Sequence, residues 1–339
     1  MSEIKELTFG VIGFGHIGRR HATIINEFPS TRVIGIIDIN SEVINNELYP
    51  LNTPLFVNLA ELFQSGIKPD VITIASPNGT HCSLAKEALL LGSHVVIEKP
   101  MGLSKAECEE VIFTALQQNK QVFVVKQNRY SPPSKWLKQI VSEKIIGDVL
   151  MVQVNCYWNR DDRYYKIGGW KGTKELDGGT LFTQFSHFVD IMYWVFGDIK
   201  NIHANFKDFN HSLSTEFEDS GIVNFEFING GIGCLNFSTS IWDTNMESSI
   251  TVVGSKGSVK VGGQYMNEIE YCHIDGYCMP QLDPTNPPND YGPFKGSAAN
   301  HHYVIENVVN TLGGTDTITA NALEGMKVVD IIERIYAAG

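Results

Sequence analysis

Lys99, in the tripeptide Glu98-Lys99-Pro100, stands just past the carboxyl end of a predicted strand, 94–97, that carries the apolar run 95–97. At that edge of an open α/β sheet an ammonium can lower the pKa of a hydroxyl it touches, or hold an alkoxide as a hydride leaves. Gly13-Phe14-Gly15-His16-Ile17-Gly18 follows the run 9–12 and opens a helical stretch, the context in which this glycine spacing cradles a pyrophosphate. Without side chains the glycines let the backbone approach, and unpaired amides at the helix start point outward. Asp38, at the end of the next apolar run, can accept hydrogen bonds from ribose hydroxyls and would repel a 2′-phosphate, which selects NAD over NADP; its alternative is a helix cap. Ser76-Pro77-Asn78-Gly79-Thr80-His81 closes a third run, 71–75. Asn78 can line the cofactor site there, or cap the following helix, as Thr80 also can.

These residues need a sheet to hold them. Runs at 9–12, 33–37, 55–57, 71–75, 95–97 and 122–125 are apolar on both faces and separated by helical patterns, which predicts an α/β, doubly wound Rossmann domain over residues 1–126. Residues 127–339 read as an α+β domain with a large open, mainly antiparallel sheet. Its helix 134–144 follows Pro132-Pro133, and its strands are expected at 149–158, 199–206, 219–227, 231–240, 248–253 and 257–261, with Asn229-Gly230 as a hairpin turn. A helical pattern over 181–196 carries Phe185, Phe188, Val189, Met192 and Val195, and His187 rides on it. The Pro-, Asn- and Gly-rich stretch 281–296 reads as a loop, and 300–312 and 320–337 as helices joined by Gly313-Gly314.

Composition narrows the partners. The net charge of −12 disfavours nucleic acid and anionic membrane, both of which require a basic footprint. Between Lys126 and Glu175, however, ten basic residues face five acidic ones, a local +5 that suits a small anionic ligand. No apolar run approaches the roughly 18 residues of a membrane span, and residues 1–7 are charged rather than signal-like, so a cytoplasmic protein is expected. Six cysteines without a Cys-x-x-Cys pair or zinc spacing read as thiols in a reducing compartment, and no metal is indicated.

The motifs around Gly13–Gly18, Asp38, Asn78 and Lys99, followed by Gly178-Gly179-Thr180-Leu181-Phe182-Thr183-Gln184-Phe185-Ser186-His187, resemble the glucose-fructose oxidoreductase/inositol dehydrogenase family along nearly the whole chain. The resemblance implies hydride transfer between NAD(P), here NAD by the reading of Asp38, and a sugar-type hydroxyl, with Lys99 and His187 catalytic. It implies cofactor contacts from the glycine loop (Gly13, Phe14, Gly15, His16, Ile17, Gly18) and from Asp38. Further contacts are implied at Ser76, Asn78 and His81, and at Glu98, Lys99 and Gln127. A cis Lys99–Pro100 bond is also implied. Many members carry an aspartate four residues before the histidine; Thr183 stands there instead, which shifts proton transfer onto His187 with Lys99 in support. The alternative for His187 is a core residue between Phe185 and Phe188.

A narrower resemblance runs from Lys126 to Pro132 and through Trp158-Asn159-Arg160, Tyr164-Tyr165, Trp170-Lys171 and Asp177-Gly178-Gly179, to a subgroup that oxidises the C3 hydroxyl of UDP-N-acetylglucosaminuronic acid in surface-polysaccharide sugar synthesis. Arg160, Arg163 and Lys171 can pair with a uronate or diphosphate while Tyr164 and Tyr165 flank a ring. Arg129, Thr183, Lys99 and His187 complete the expected substrate set. The aromatic cluster can instead pack the sheet against the His187 helix, and Arg129 can serve a salt bridge between domains or subunits. A same-family dehydrogenase of a neutral polyol and a non-catalytic NAD-binding regulator stay open. An open sheet face of this size is expected to be covered by another copy, giving a homodimer or homotetramer.

Overall fold

A computed structural model describes residues 6–40, 42 and 53–339. The charged start of the chain, up to Lys5, lies outside them. Two compact units are present: one holds the chain up to Val125 together with His301–Val329, the other Lys126–Asn300 and Asp330–Gly339.

The first unit opens with β1 (Leu7–Ile12), α1 (His16–Glu27), β2 (Thr31–Ile37) and β3 (Leu55–Phe56). It continues through α2 (Leu59–Gln64), β4 (Val71–Ile74), α3 (His81–Leu90), β5 (His94–Ile97), α4 (Lys105–Gln118) and β6 (Val122–Val124). Its six strands lie in the order β3-β2-β1-β4-β5-β6, every pair parallel. The order reverses between β1 and β4, and ligands of doubly wound sheets bind at the carboxyl ends beside such a switch. The glycine loop after β1, the Ser76–Thr80 segment after β4 and the Glu98–Pro100 turn after β5 all leave the sheet at that edge. Burial on both faces explains the near-continuous apolar runs: Val71, Ile72, Ile74, Val95, Val96 and Ile97 are fully buried.

The second unit begins with α5 (Pro132–Ser142), where a proline sits in the first turn and needs no amide partner. There follow β7 (Val149–Tyr157), α6 (Thr180–Thr183), α7 (Ser186–Phe196), β8 (Ile199–Lys207), β9 (Ser220–Phe227), β10 (Ile232–Ser238), β11 (Glu247–Gly254), β12 (Gly257–Gly262) and β13 (Glu268–Ile274). These strands form one sheet in the order β13-β12-β11-β7-β10-β9-β8, antiparallel except for β10 against β7. Val152, Val154, Val223, Phe225, Leu235, Phe237, Ile250 and Val252 alternate onto the buried face, on which α7 packs. Met151, Ile222 and Ile232 lie on the opposite, exposed face.

Several expectations shift in the structure. The segment 281–296 is not only loop: β14 (Pro288–Asp290) pairs with β15 (Lys295–Ala298). The helix expected over 181–196 is two helices, interrupted at Gln184-Phe185, where Phe185 leaves helical geometry at φ −111° and ψ 3°. Strand β13 was not foreseen; its polar, exposed residues show little alternation. The last helices, α8 (His301–Leu312) and α9 (Ala322–Tyr336), also depart from a single boundary at 126/127. Residues 301–329 return to the first unit, where Ala320 accepts the Val124 amide and Gly325 lies against Val124 and Met101.

Candidate active site

In the glycine loop, Gly13 has φ +80°, and a Cβ added at Gly18 would fall 1.8 Å from the Gly13 carbonyl oxygen. At Gly15 a Cβ would meet none of the described residues within 4 Å, which leaves this backbone open among them at the start of α1. That is the cradle a pyrophosphate requires, and the residues fit NAD. Asp38 closes the loop from the end of β2: its carboxylate accepts from the Phe14 amide at 2.7 Å and from the Asn40 amide at 2.8 Å. Phe14 is buried, whereas His16 is exposed and Ile17 half-buried.

The next two loops brace each other through His81, which is 1% exposed. Its Nδ1 lies 2.7 Å from the Pro100 carbonyl and its Nε2 2.9 Å from that of Ser76; burial pushes its pKa down. Thr80 precedes α3 but does not cap it with its side chain; its hydroxyl donates to the Pro77 carbonyl and shares a 2.7 Å hydrogen bond with Ser76. Asn78 is buried in the same short turn. The Lys99–Pro100 bond is cis. Lys99 is half-buried, and its amide donates to Glu98 Oε2 at 3.1 Å. Glu98 Oε1 lies 2.9 Å from His21 Nε2 and 3.4 Å from His301 Nε2, and His21 Nδ1 lies 2.7 Å from the Thr73 hydroxyl. Burial alone would raise the Glu98 carboxyl, but the two imidazoles hold it well below the usual carboxylate range. Sequence reasoning missed His21, Thr73 and His301; His21, three residues past the glycine motif, was the available signal.

In the second unit, His187 is 6% exposed and its Nε2 lies 3.5 Å from Gln127 Nε2. Gln127 Oε1 and Ser186 Oγ are buried without a hydrogen-bond partner among the described residues, as expected where a polar ligand docks. Arg160, Tyr164, Tyr165 and Lys171 do come together. The Lys171 ammonium is 3.9 Å from the Tyr164 ring centre, the Arg160 guanidinium 5.3 Å from it, and Tyr164 and Tyr165 meet edge to face. Two of the residues first read as substrate cations are turned towards protein groups. Arg160 donates to Gln184 Oε1 (2.7 Å) and to the carbonyls of Asn159 (2.5 Å) and Lys295 (3.2 Å). Arg129 makes a two-point bond to Asp190, at 2.9 and 2.8 Å, inside its own unit. Arg163 is paired with Asp161 beside a cavity of 410 Å³ that Arg160 and Trp242 also line. Trp158 packs edge to face on Phe185 and Phe188, so the aromatic segment does join the sheet to α7.

The segment leading into α6 is also tied to a carboxyl group that titrates near neutrality. Burial raises Glu218 to about 7, against a pull the other way from its hydrogen bond with the Tyr336 hydroxyl (2.7 Å), which in turn accepts the Leu181 amide. A carboxyl raised in the folded state favours folding while protonated, so this contribution is present below pH 4.5 and is lost as the pH rises to about 7. Glu218→Gln is expected to flatten that slope and to be more stable than the parent at pH 8 by about 2 kcal/mol. Urea unfolding followed from pH 4 to 8 checks it; parallel curves for the two proteins would contradict the assignment.

A parallel sheet with this glycine loop and a lysine turn at its carboxyl edge, in a chain that also holds an open-sheet unit, defines a two-unit Rossmann oxidoreductase. The chain belongs to the Gfo/Idh/MocA family: residues 7–126 match the oxidoreductase family's NAD-binding Rossmann fold and residues 135–260 its GFO/IDH/MocA C-terminal domain. It is an NAD-dependent dehydrogenase by that membership. Among solved structures it is similar to the WlbA dehydrogenase of Bordetella pertussis (27% identity, TM-score 0.87, 98% of this chain and 96% of that one). The WlbA dehydrogenase of Chromobacterium violaceum is similar to the same degree (28%, 0.87, 100% and 94%). Both were crystallised with NADH and UDP-GlcNAcA. An uncharacterized oxidoreductase of Synechocystis, sll0816, is 27% identical over 291 residues, 80% of this chain and 76% of its own. Among the described residues no helix is long and apolar enough to cross a membrane.

Proposed function

We propose that this dehydrogenase oxidises a hydroxyl of an anionic nucleotide sugar, C3 of UDP-N-acetylglucosaminuronic acid, in the making of surface-polysaccharide sugars. The observation that carries the reading is the likeness over essentially the whole chain to two dehydrogenases crystallised with that sugar. The half-buried Lys171 beside Tyr164 suits an anionic sugar. Bound NAD supplies the hydride acceptor. Lys99 contributes positive charge to the hydroxyl as it becomes an alkoxide, and His187, oriented by Gln127, takes the proton. Asp38 holds the adenosine ribose, and copies of the chain associate through the exposed sheet face that carries Met151, Ile222 and Ile232.

NADH formation from UDP-N-acetylglucosaminuronic acid, UDP-N-acetylglucosamine, glucose 6-phosphate and myo-inositol tests the reading. The uronate is expected to give the highest kcat/KM. A preference for inositol would replace the reading with a neutral-polyol dehydrogenase, and a Lys171→Met variant indifferent to the substrate's charge would count against the anion site.

A further inference from the structure

Thr183 lies four residues before His187, and the fold brings a buried carboxylate to its hydroxyl. Asp177, fully buried, accepts the Thr183 hydroxyl at Oδ1 and the Gly172 amide at Oδ2, the latter at 2.8 Å. The Thr183 oxygen also lies 3.1 Å from the Asp177 carbonyl. A hydroxyl has one proton; with that proton directed at a carboxylate, the oxygen faces its other neighbours as an acceptor. Gly172, held by the same carboxylate, has φ +91°, and a Cβ there would lie 2.4 Å from the Ser214 carbonyl oxygen, so its backbone has one way to sit. Its chain neighbour is Lys171, whose ammonium lies over Tyr164.

We propose that Asp177 is the positioning residue of the substrate pocket: it sets Thr183 as the acceptor for a sugar hydroxyl and anchors the loop that presents Lys171 to an anionic group. This rests on the sugar-dehydrogenase reading above. Burial pushes the Lys171 pKa down, Asp177 pulls it up, and Arg160 and Lys166 push it down; Tyr164 and Tyr165, both raised chiefly by burial, stay neutral. Without the Asp177 charge, Lys171 loses its proton at lower pH, and affinity for an anion is lost there too.

The test measures kcat and KM with UDP-N-acetylglucosaminuronic acid and NAD, between about pH 6 and 9, for the parent, Asp177→Asn, Thr183→Val, Thr183→Ser and the Asn/Val double variant. NAD affinity is followed in parallel as the control for folding. Asp177→Asn is expected to raise KM about tenfold, with the alkaline rise in KM moved to lower pH, a shift that a purely structural role would not produce. Thr183→Val should lower kcat/KM about tenfold, Thr183→Ser should restore it, and the double variant should be no worse than the poorer single to within about twofold. A parental pH profile in Asp177→Asn, or effects that multiply in the double variant, overturns the inference. Should Asp177→Asn fail to fold, equal kinetics for Thr183→Val and Thr183→Ser overturn it instead. A parent enzyme that oxidises no sugar overturns both the reading and the inference, and is told apart because the failure lies in the parent.

Discussion

Lys99→Ala is expected to lower kcat by about a thousandfold while NAD affinity stays within about threefold of the parent. The split follows from where the residue sits. The pyrophosphate cradle is backbone, built on Gly13, Gly15 and Gly18, and does not involve the lysine. What the alanine removes is a half-buried ammonium on a turn that is held from three sides: by Glu98 on the Lys99 amide, by His21 and His301 on Glu98, and by His81 on the Pro100 carbonyl. A charge fixed in advance costs little reorganisation when the alkoxide forms, and loss of one such donor typically costs 10²- to 10³-fold in rate, with proton-transfer support adding to that. Lys99→Arg keeps the charge but spreads it over a wider planar group, and should recover only part of the rate. Single-turnover NADH formation with saturating sugar checks the chemical step directly. A loss of kcat below about tenfold would remove Lys99 from the catalytic role.

What was legible in the chain, and what was not, divides by the range of the physics involved. Gly18 is local: no other residue fits 1.8 Å from a carbonyl oxygen, so the spacing announces the loop. The parallel sheet is nearly as local, since burial on both faces writes near-continuous apolar runs such as 71–75, interrupted by Thr73, into the chain. The return of α8 and α9 to the first unit left no such mark, because an amphipathic pattern states that a face is buried but not against which sheet. Charge behaved likewise. The +5 segment was countable, yet the partners of Arg129 and Arg160 are set by folding, which turns both guanidiniums onto Asp190, Gln184 and backbone carbonyls. Lys171 and the tyrosines were found because they cluster in sequence; Asp177 was quoted only as part of a motif, since its role depends on a hydroxyl six residues away.

Asp190 shows how far such a partner can reach. Its carboxylate holds Arg129 at two points and Lys126 Nζ at 3.3 Å, all three side chains being at most 2% exposed. Burial would raise the carboxyl, but Lys126 and then Arg129 bring it below its ordinary value, so the carboxylate is held ionised between them. Asp190→Ala would remove the carboxylate on which both buried cations converge, and breaking a buried pair in this way costs about 3–5 kcal/mol. That is far more than the loss of a surface ion pair, where the same chemistry contributes about 0–1 kcal/mol. The cost should fall when the cations are removed as well: Arg129→Met combined with Lys126→Met in the Asp190→Ala background is expected to recover most of the stability, because apolar side chains of similar volume need no counter-charge. Since Asp190 lies on α7 three residues after His187, and Gln127 and Arg129 share one short turn, the ion pair also fixes the helix that carries the proposed base against the glutamine that orients it. The rescued triple variant is therefore expected to fold yet keep a lowered kcat, with stability read from urea unfolding and rate from NADH formation. Full activity in that variant would mean that the pair stabilises the unit without positioning His187.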